Sequence, residues 1–383
     1  MKESQNHAAY LEKQKSYPLK VLEAPIPSLR PGEIRVRVRA LAINPIDHIL
    51  QRHGTSMAFP HLKYPLILGS DVAGTVVETG KSVTMFKNGD RVLGQCLGTD
   101  KAHVHNSNGE AGFQEYAILH AHMSTKIPDP LSYEQACVVP LGLSTAACGL
   151  FEKDQLGLEL PKPGQAVSRG QTVLIWGGST SVGTNAIQLA VAAGYEVITT
   201  CSPKNFGYCR GLGAKHCFDY KSSDVSEDIA SCLKGKDCVG ALAIGSNSSL
   251  ACIDILSKHN FKVDGKQRGH KFVAVASGPE LVEPSESFAF VKTISRFLGF
   301  GLSLTWQTWR HSVNWKFVLG TKPGETEIGP AIYNNFLPEA LATGQFKALP
   351  EAQVVGHGLD KIQSAMNLLK NGVSAKKIVV TLG

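Results

Sequence analysis

The stretch Thr172-Val-Leu-Ile-Trp176, followed by Gly177-Gly178-Ser179-Thr180-Ser181-Val182-Gly183, decides the fold. Its first five residues form a short apolar run, typical of a buried strand, and Val182 to Ala193 predicts the helix that follows. Glycines between a strand and a helix permit a tight turn, which brings backbone N–H groups and the helix N-terminus close to a pyrophosphate. We therefore predict a dinucleotide-binding turn, although a strict Gly-x-Gly-x-x-Gly frame would have glycine in place of Thr180.

Around this turn the sequence predicts two domains of different character. Further apolar strands of one parallel sheet are expected at Glu196–Thr200, Gly240–Ile244 and Phe272–Ala276. Upstream, Ile34 to Ala40 alternates strictly between apolar residues and arginines, and glycine-punctuated β patterns follow, so residues 25–130 predict a barrel-like domain. Near the C-terminus, helices are expected at Phe336–Gly344 and Leu359–Leu369, and a final strand at Ile378–Leu382.

Bulk composition restricts the class of protein. With 383 residues, 43% hydrophobic and 19% charged, the chain predicts about two packed domains. The net charge of +7 favours anionic small molecules, but no dense Lys/Arg run indicates nucleic acid. Nine scattered cysteines without a Cys-x-x-Cys pair suggest buried free thiols. We expect a cytoplasmic protein without a membrane span, because Met1 to Lys20 is polar and no apolar run reaches bilayer length.

The end of the second predicted strand indicates which nicotinamide cofactor binds. An NAD-selecting carboxylate should lie about 20 residues past the glycine turn. That position reads Thr200-Cys201-Ser202-Pro203-Lys204-Asn205, with a hydroxyl and a cation but no carboxylate. These groups favour the 2′-phosphate of NADPH, and the alternative is that Lys204 is a solvated surface lysine.

Several segments together resemble the medium-chain dehydrogenase/reductase superfamily, over essentially the whole chain. They are Ala42–Asp47, Leu68–Val76, Gly89–Val92, Pro140–Ala146, the glycine turn, and Cys201–Phe206 with Phe218–Tyr220. The likeness is greatest to fungal zinc-binding-dehydrogenase-like proteins and to the trans-acting enoyl reductases of polyketide biosynthesis. It implies an α/β fold, in which a Rossmann doubly wound parallel sheet is inserted into a GroES-like β-barrel domain. Expected bounds are residues 1–165, completed by 310–383, for the GroES-like catalytic domain and 166–309 for the Rossmann domain.

The resemblance also implies a set of cofactor contacts. Ser202, Lys204 and Tyr220 would hold the 2′-phosphate. The turn residues Gly178, Ser179, Thr180, Ser181 and Val182 would hold the pyrophosphate. Asn44, Pro45, Thr145, Gly245 and Ala276 would complete the cofactor site, with the nicotinamide meeting substrate in a cleft between the domains.

No zinc site is expected. The zinc-ligand positions of alcohol dehydrogenases correspond to Asn44, to Gly69-Ser70-Asp71 and to the neighbourhood of Gly142, where no thiolate or imidazole is supplied. The four-cysteine lobe is also missing, because Gly94 to Gly112 contains only Cys96. The pairs His103/His105 and His120/His122 are interpreted as surface or packing histidines on extended segments, without a third ligand nearby.

Without a metal to polarise an alcohol or ketone, reduction of an activated C=C is the more plausible chemistry. The hypothesis is hydride transfer from NADPH to an α,β-unsaturated carbonyl, an enoyl thioester or an enone, in fungal secondary metabolism. His48, Tyr64 and Thr145 are the catalytic candidates, and Tyr64 is the weaker donor candidate of the first two, better explained as a packed aromatic. His48 stands near where the resemblance leads us to expect a lysine, and it is equally well explained as a structural helix-start residue.

Three alternatives stay open. The substrate could be a chain held by a polyketide synthase partner, the acceptor could be a quinone, or the chain could bind NADPH as an accessory protein without turnover. The oligomeric state is also open between a monomer and a homodimer.

Overall fold

The structure is a computed structural model that describes residues 5–55, 59–164, 166–259, 262–263, 266–267, 271–279, 282 and 286–383. It divides into two compact units, residues 1–141 with 324–383 and residues 142–323. The second unit starts earlier and ends later than the expected 166–309. One reason is that helix Pro140–Phe151 packs on the parallel sheet, where a Cβ at Gly149 would lie 2.7 Å from Leu242. The other is that strand Asn314–Phe317 extends that sheet past residue 309.

The first unit is built mainly from antiparallel strands. Its elements up to the second unit are β1 (Asn6–Leu11), β2 (Lys20–Ala24), β3 (Glu33–Ala42), α1 (Pro45–His53), β4 (Leu66–Ile67), β5 (Asp71–Thr79), β6 (Arg91–Gln95), β7 (Tyr116–His120), β8 (Ser124–Lys126), α2 (Tyr133–Ala136) and the first residues of α3 (Pro140–Phe151). A seven-stranded sheet contains β3, β5, β6 and β8 in that order, with β7 also paired to β3. A smaller sheet has the order β2-β1-β4.

The C-terminal segment completes this unit. After the second unit come α9 (Ile328–Pro330), a π-helical turn (Ala331–Phe336), α10 (Leu337–Thr343), β17 (Glu351–His357), α11 (Ile362–Lys370) and β18 (Lys376–Thr381). Strand β18 pairs antiparallel with β3, with Val379 opposite Ala42, and β17 pairs parallel with β18. The predicted final strand and C-terminal helices are confirmed within a few residues.

The second unit contains the predicted parallel sheet. Its elements are β9 (Gln171–Trp176), α4 (Ser181–Ala192), β10 (Glu196–Thr200), α5 (Phe206–Gly211), β11 (His216–Phe218), α6 (Val225–Leu233), β12 (Asp237–Ala243), α7 (Ser248–Lys258), β13 (Lys262–Val263), β14 (Lys266–Gln267), β15 (Phe272–Val275), α8 (Ala289–His311) and β16 (Asn314–Phe317). Six strands pair in the order β11-β10-β9-β12-β15-β16, all parallel. The order reverses at β9, so the switch point between β9 and β12 is where such sheets bind ligands, at the carboxyl ends of the strands.

Helix α8 was not predicted from the sequence. It spans 23 residues, and large apolar side chains on it remain exposed, including Leu302 at 72% and Trp309 at 75%. Its sequence is amphipathic, but Gly299 and Gly301 in its middle lower its helix propensity.

Among the residues that the structure describes, one helical stretch, Tyr133–Phe151, is apolar and long enough to cross a membrane by length and composition alone. Within the protein 78% of this stretch is buried, which is the pattern of a core helix.

Candidate functional site

The glycine turn between β9 and α4 is sterically restricted to glycine at three positions. Gly177 has φ +91°, and a Cβ there would lie 2.7 Å from the carbonyl oxygen of Ile244. A Cβ at Gly178 would lie 2.2 Å from Thr199 Oγ1, and one at Gly183 2.2 Å from the Gly177 carbonyl oxygen. Distances below 3 Å do not occur at real Cβ atoms, so the turn depends on these three glycines.

Thr180 explains why the motif departs from the strict glycine frame. It is the N-cap of α4, with the ordinary extended values φ −75° and ψ 165°. Its Oγ1 accepts the backbone N–H of Gly183 at 3.0 Å and donates to the carbonyl oxygen of Gly177 at 2.7 Å. Threonine therefore fixes the turn through its side chain, which glycine could not do.

The N-terminus of α4 carries two buried polar atoms that lack a hydrogen-bond partner among the described residues, Ser181 Oγ and Asn185 Oδ1. Both side chains pack against Gly142 of α3, where a Cβ would lie 2.6 Å from Ser181 Oγ and 2.8 Å from Asn185 Nδ2. Because residues three apart share a helix face, we expect the half-buried Thr145 to lie on the same face of α3.

Gly245 and Ala276 lie at the same edge of the sheet as the turn. Gly245 has φ +100°, and its backbone N–H donates to Ser277 Oγ at 2.8 Å. The backbone N–H of Ala276 donates to the carbonyl oxygen of Ala243, which continues the pairing of β12 with β15. The structure thus brings two of the expected cofactor residues beside the switch point.

The expected 2′-phosphate residues follow two neighbouring strands. Ser202 follows β10 and Tyr220 follows β11, and these strands are parallel with Thr200 opposite Phe218. The backbone N–H of Cys201 donates to the carbonyl oxygen of Phe218 at 3.0 Å, which joins the two segments beyond the strands. Lys204 is exposed, Ser202 is half-buried, and Tyr220 is 43% exposed.

In the first unit, Asn44 belongs to a buried charged cluster. Its Nδ2 donates to Asp71 Oδ2 at 2.9 Å, and its Oδ1 accepts from Lys377 Nζ. Lys377 Nζ also lies 2.9 Å from Asp71 Oδ2, with the two side chains only 5% and 0% exposed. Asp71 Oδ1 accepts the backbone N–H of Leu141 at 2.6 Å. The ammonium of Lys377 is therefore bound by two of the residues that occupy the zinc-ligand positions, and the amide of Asn44 is committed to this cluster.

Asp47 lies beside that cluster at the start of α1. Its carboxylate accepts the backbone N–H groups of Asn44 at 2.8 Å and Gly69 at 3.2 Å. Burial, together with the nearby carboxylate of Asp71, raises its pKa to about 7 against the hydrogen bonds and Lys377, which lower it. Asp47 thus fixes the start of α1, including Pro45 at its first position, relative to the Gly69 loop.

Both proton-donor candidates in this unit have unpartnered polar atoms. His48 Nε2 and the Tyr64 hydroxyl are buried without a hydrogen-bond partner among the residues that the structure describes. Burial, reinforced by Arg52 and Lys370, lowers the pKa of His48 to about 4, so its imidazole is neutral at pH 7. The ring of Tyr64 packs against the hydrophobic core of the unit, as its packing interpretation requires.

The expectation that the histidine pairs lack a third ligand is wrong. His103 lies in a 3₁₀ turn, Lys101–Asn106, and not on an extended segment. Glu110 Oε2 accepts from His103 Nδ1 and His120 Nε2, each at 2.8 Å, and these hydrogen bonds hold the pKa of Glu110 at about 2 although burial opposes this. His122 binds the carbonyl oxygen of Gly324 at 2.9 Å, and the side chain of His105 lies outside the described ones.

Sequence reasoning missed Lys377 and Glu110. The sequence signal for Lys377 is its place directly before the apolar run of β18. The structure shows that Lys377 is buried, whereas its neighbour Lys376 is exposed. Glu110 carries no local signal, because its histidine partners come from a turn before it and a strand after it.

Comparison with known proteins identifies the family. The model of the alcohol dehydrogenase GroES-like domain matches residues 30–129. Dehydrogenase pigH of Monascus ruber is 48% identical over 98% of this chain and 99% of its own length. The chain belongs to the medium-chain dehydrogenase/reductase superfamily. Trans-enoyl reductase himH of Aspergillus japonicus is 34% identical over 98% of this chain and 97% of its own length. An alcohol dehydrogenase superfamily protein from Novosphingobium aromaticivorans has a similar structure, with a TM-score of 0.70 at 25% identity over 99% of this chain and 100% of that one.

The family confirms the predicted fold class, a GroES-like domain with a Rossmann-type parallel sheet, and it implies a nicotinamide cofactor. The residues of the second unit fit such a group. Ser181 Oγ, at the start of α4, is a buried donor without a hydrogen-bond partner among the described residues, and a helix N-terminus is a favourable place for a pyrophosphate.

Proposed function

We propose that this member of the superfamily is a zinc-independent, NADPH-dependent reductase of an activated C=C in an α,β-unsaturated carbonyl compound. The observation that carries the proposal is the segment after β10, where Ser202 and Lys204 stand at the carboxyl edge of the sheet without an acidic residue.

The choice of NADPH over NADH follows from charge. A carboxylate at the end of β10 would accept hydrogen bonds from a ribose 2′-hydroxyl and repel a 2′-phosphate. Here the exposed Lys204 and the Ser202 hydroxyl supply a cation and a donor for a dianion. The nearest following carboxylate, Asp219, accepts the backbone N–H of Lys221 at 3.0 Å, and the ammonium of Lys221 lies 5.9 Å from the centre of the Tyr220 ring.

The chemistry of the first unit supports reduction of a C=C over oxidation of an alcohol. Asn44 and Asp71 bind the ammonium of Lys377 and contribute no thiolate or imidazole, so a tetrahedral zinc site does not fit this donor set. When bound, a reduced nicotinamide supplies the hydride. The residues of the chain then have to orient the acceptor and stabilise negative charge on its carbonyl oxygen, which hydroxyls and backbone N–H groups do well in a water-poor site.

The two donor candidates differ in what they can give. Since the pKa of His48 is about 4, its imidazole is neutral and contributes a hydrogen bond, not an acidic proton, at pH 7. The Tyr64 hydroxyl, unpartnered within the described residues, is the better candidate to deliver a proton or hydrogen bond to the substrate. Thr145 is the candidate hydroxyl on α3.

A second candidate is reduction of a chain that is carried by a polyketide synthase. It is favoured by the likeness to trans-enoyl reductase himH over nearly the full length of both proteins. Turnover of a carrier-bound thioester with no turnover of the corresponding free thioester would select this candidate.

Binding titrations test the cofactor choice. The dissociation constants of NADPH and NADH would be measured for the wild type, for Lys204→Ala and for Ser202→Ala. Loss of one charge-assisted hydrogen bond should weaken NADPH binding about tenfold or more and leave NADH unchanged. The control Lys215→Ala removes an exposed lysine before β11, at the opposite edge of the sheet, and should change neither constant. Equal affinity of the wild type for NADH and NADPH would refute the choice.

A further inference from the structure

A cluster of two histidines and one glutamate lies in the first unit, outside the residues assigned above to cofactor or substrate. Glu110 has a fully buried side chain, 0% exposed, while those of His103 and His120 are 14% and 15% exposed. Both imidazoles approach the same carboxylate oxygen, Oε2, at 2.8 Å, and their ring centroids are 4.6 Å apart.

The other oxygen of this carboxylate is a second, independent observation. Glu110 Oε1 is buried and has no hydrogen-bond partner among the described residues. A buried carboxylate usually satisfies both oxygens, because an unsatisfied charged atom away from water costs free energy. A cation bound at this carboxylate would remove that cost.

The atoms at the cluster form a ligand set that suits transition metals. One ring nitrogen of His103, one of His120 and a Glu110 oxygen all lie within 4.8 Å of one another. Two imidazoles and a carboxylate are a common three-ligand set for zinc, with a fourth position left for water. Ligand atoms around a tetrahedral zinc ion are about 3.3 Å apart. The two nitrogen-to-oxygen contacts at Glu110, now 2.8 Å each, would therefore have to lengthen by about 0.5 Å to admit the ion. Each imidazole would then carry its proton on the other ring nitrogen.

The three residues also come from separate segments of the chain. His103 lies in the Lys101–Asn106 turn, Glu110 in the loop that follows, and His120 at the end of β7. A bound ion would therefore cross-link a surface turn and its loop to the main sheet.

We propose that His103, Glu110 and His120 form a binding site for a divalent transition-metal cation of the zinc type. The site is distinct from Asn44 and Asp71, and its ligands are nitrogen and oxygen only. Since imidazole ligands favour zinc over Mg²⁺ and Ca²⁺, the hard alkaline-earth cations should not compete.

Cobalt titration of the metal-free full-length chain tests the proposal. One equivalent of Co²⁺ should give visible ligand-field bands without thiolate-to-cobalt charge transfer, and Zn²⁺ but not Mg²⁺ should displace it. Glu110→Gln should weaken binding about 100-fold or more. The control Glu115→Gln removes the carboxylate of a half-buried pair with His7, with Nδ1 and Oε2 3.0 Å apart, and should bind as the wild type does.

His103→Asn gives a second variant in case Glu110→Gln destabilises the fold, which far-UV circular dichroism would reveal. It should also weaken Co²⁺ binding about 100-fold. The proposal is overturned if the wild type does not bind Co²⁺, if folded variants bind it as tightly as the wild type, or if the spectrum shows thiolate ligands from the cysteines.

Discussion

Replacing Lys377 with methionine should strongly destabilise the first unit. The substitution keeps most of the buried side-chain volume and removes the ammonium, which lies 2.9 Å from Asp71 Oδ2 and also binds Asn44 Oδ1. Asp71 would keep two donors, Asn44 Nδ2 and the backbone N–H of Leu141. The carboxylate would, however, lose the one cation that forms an ion pair with it among the residues that the structure describes.

The magnitude follows from burial and distance. At an effective dielectric constant of about 20, two unit charges this close attract by about 6 kcal/mol, and part of this is offset because a buried ammonium no longer has to be desolvated. With two donors remaining, we expect a loss of about 3 kcal/mol in the free energy of unfolding, at the lower end of the range for a broken buried pair. The double variant Asp71→Asn, Lys377→Met should recover much of this loss, because it leaves no unpaired charge.

The assay has to report on the correct unit. All four tryptophans, Trp176, Trp306, Trp309 and Trp315, belong to the second unit, so their fluorescence serves as an internal control. Urea unfolding followed by far-UV circular dichroism, with hydrogen exchange of β3, β5 and β18, measures the first unit. Lys376→Met, at an exposed neighbouring lysine, should change stability by less than about 0.5 kcal/mol. The reasoning is refuted if Lys377→Met matches that control or if the two substitutions of the double variant are additive.

Three further predictions concern single residues. Because burial raises the pKa of Asp47 to about 7, the folded state holds the proton of this carboxyl more tightly than the unfolded state does. The resulting stabilisation is complete below pH 3.8, the unfolded pKa, and is lost as the pH rises through about 7. The free energy of urea unfolding should therefore decline over this range in the wild type, and its pH profile should be flatter in Asp47→Asn. Gly178→Ala places a Cβ 2.2 Å from Thr199 Oγ1 and should weaken NADPH binding about tenfold or more. In the control Gly207→Ala the new Cβ meets no atom within 4 Å, so NADPH binding should not change. Equal affinities of the two variants for NADPH would contradict the steric account of the turn. Tyr64→Phe should lower kcat about 100-fold with the dissociation constant of NADPH unchanged, and an unchanged kcat would remove Tyr64 from the mechanism.

The parts of the fold that the sequence predicts are those encoded locally. The turn from Gly177 to Gly183 could be identified because its glycines, its strand and its helix are adjacent in sequence. Even Thr180, which departs from the strict motif, follows a local rule, since threonine is a good N-cap.

The parts that the sequence did not predict depend on distant pairings. Lys377 meets Asn44 across 333 positions, and no pattern in either segment indicates the other. Glu110 joins His103 and His120 only because the loop after the 3₁₀ turn folds back on β7. For a charged residue whose burial depends on a partner elsewhere in the chain, the pattern of its immediate neighbours is not informative.

The central claim is tested most directly by the oxidation of NADPH, followed by the absorbance of the reduced nicotinamide, with a short enoyl thioester, an enone and a quinone as acceptors and NADH in parallel. We predict turnover with NADPH and an enoyl thioester or enone, and much slower turnover with NADH. Tight binding of NADPH without oxidation by any of these acceptors would contradict the proposed reduction of free substrates, and failure to bind NADPH would contradict the proposal as a whole.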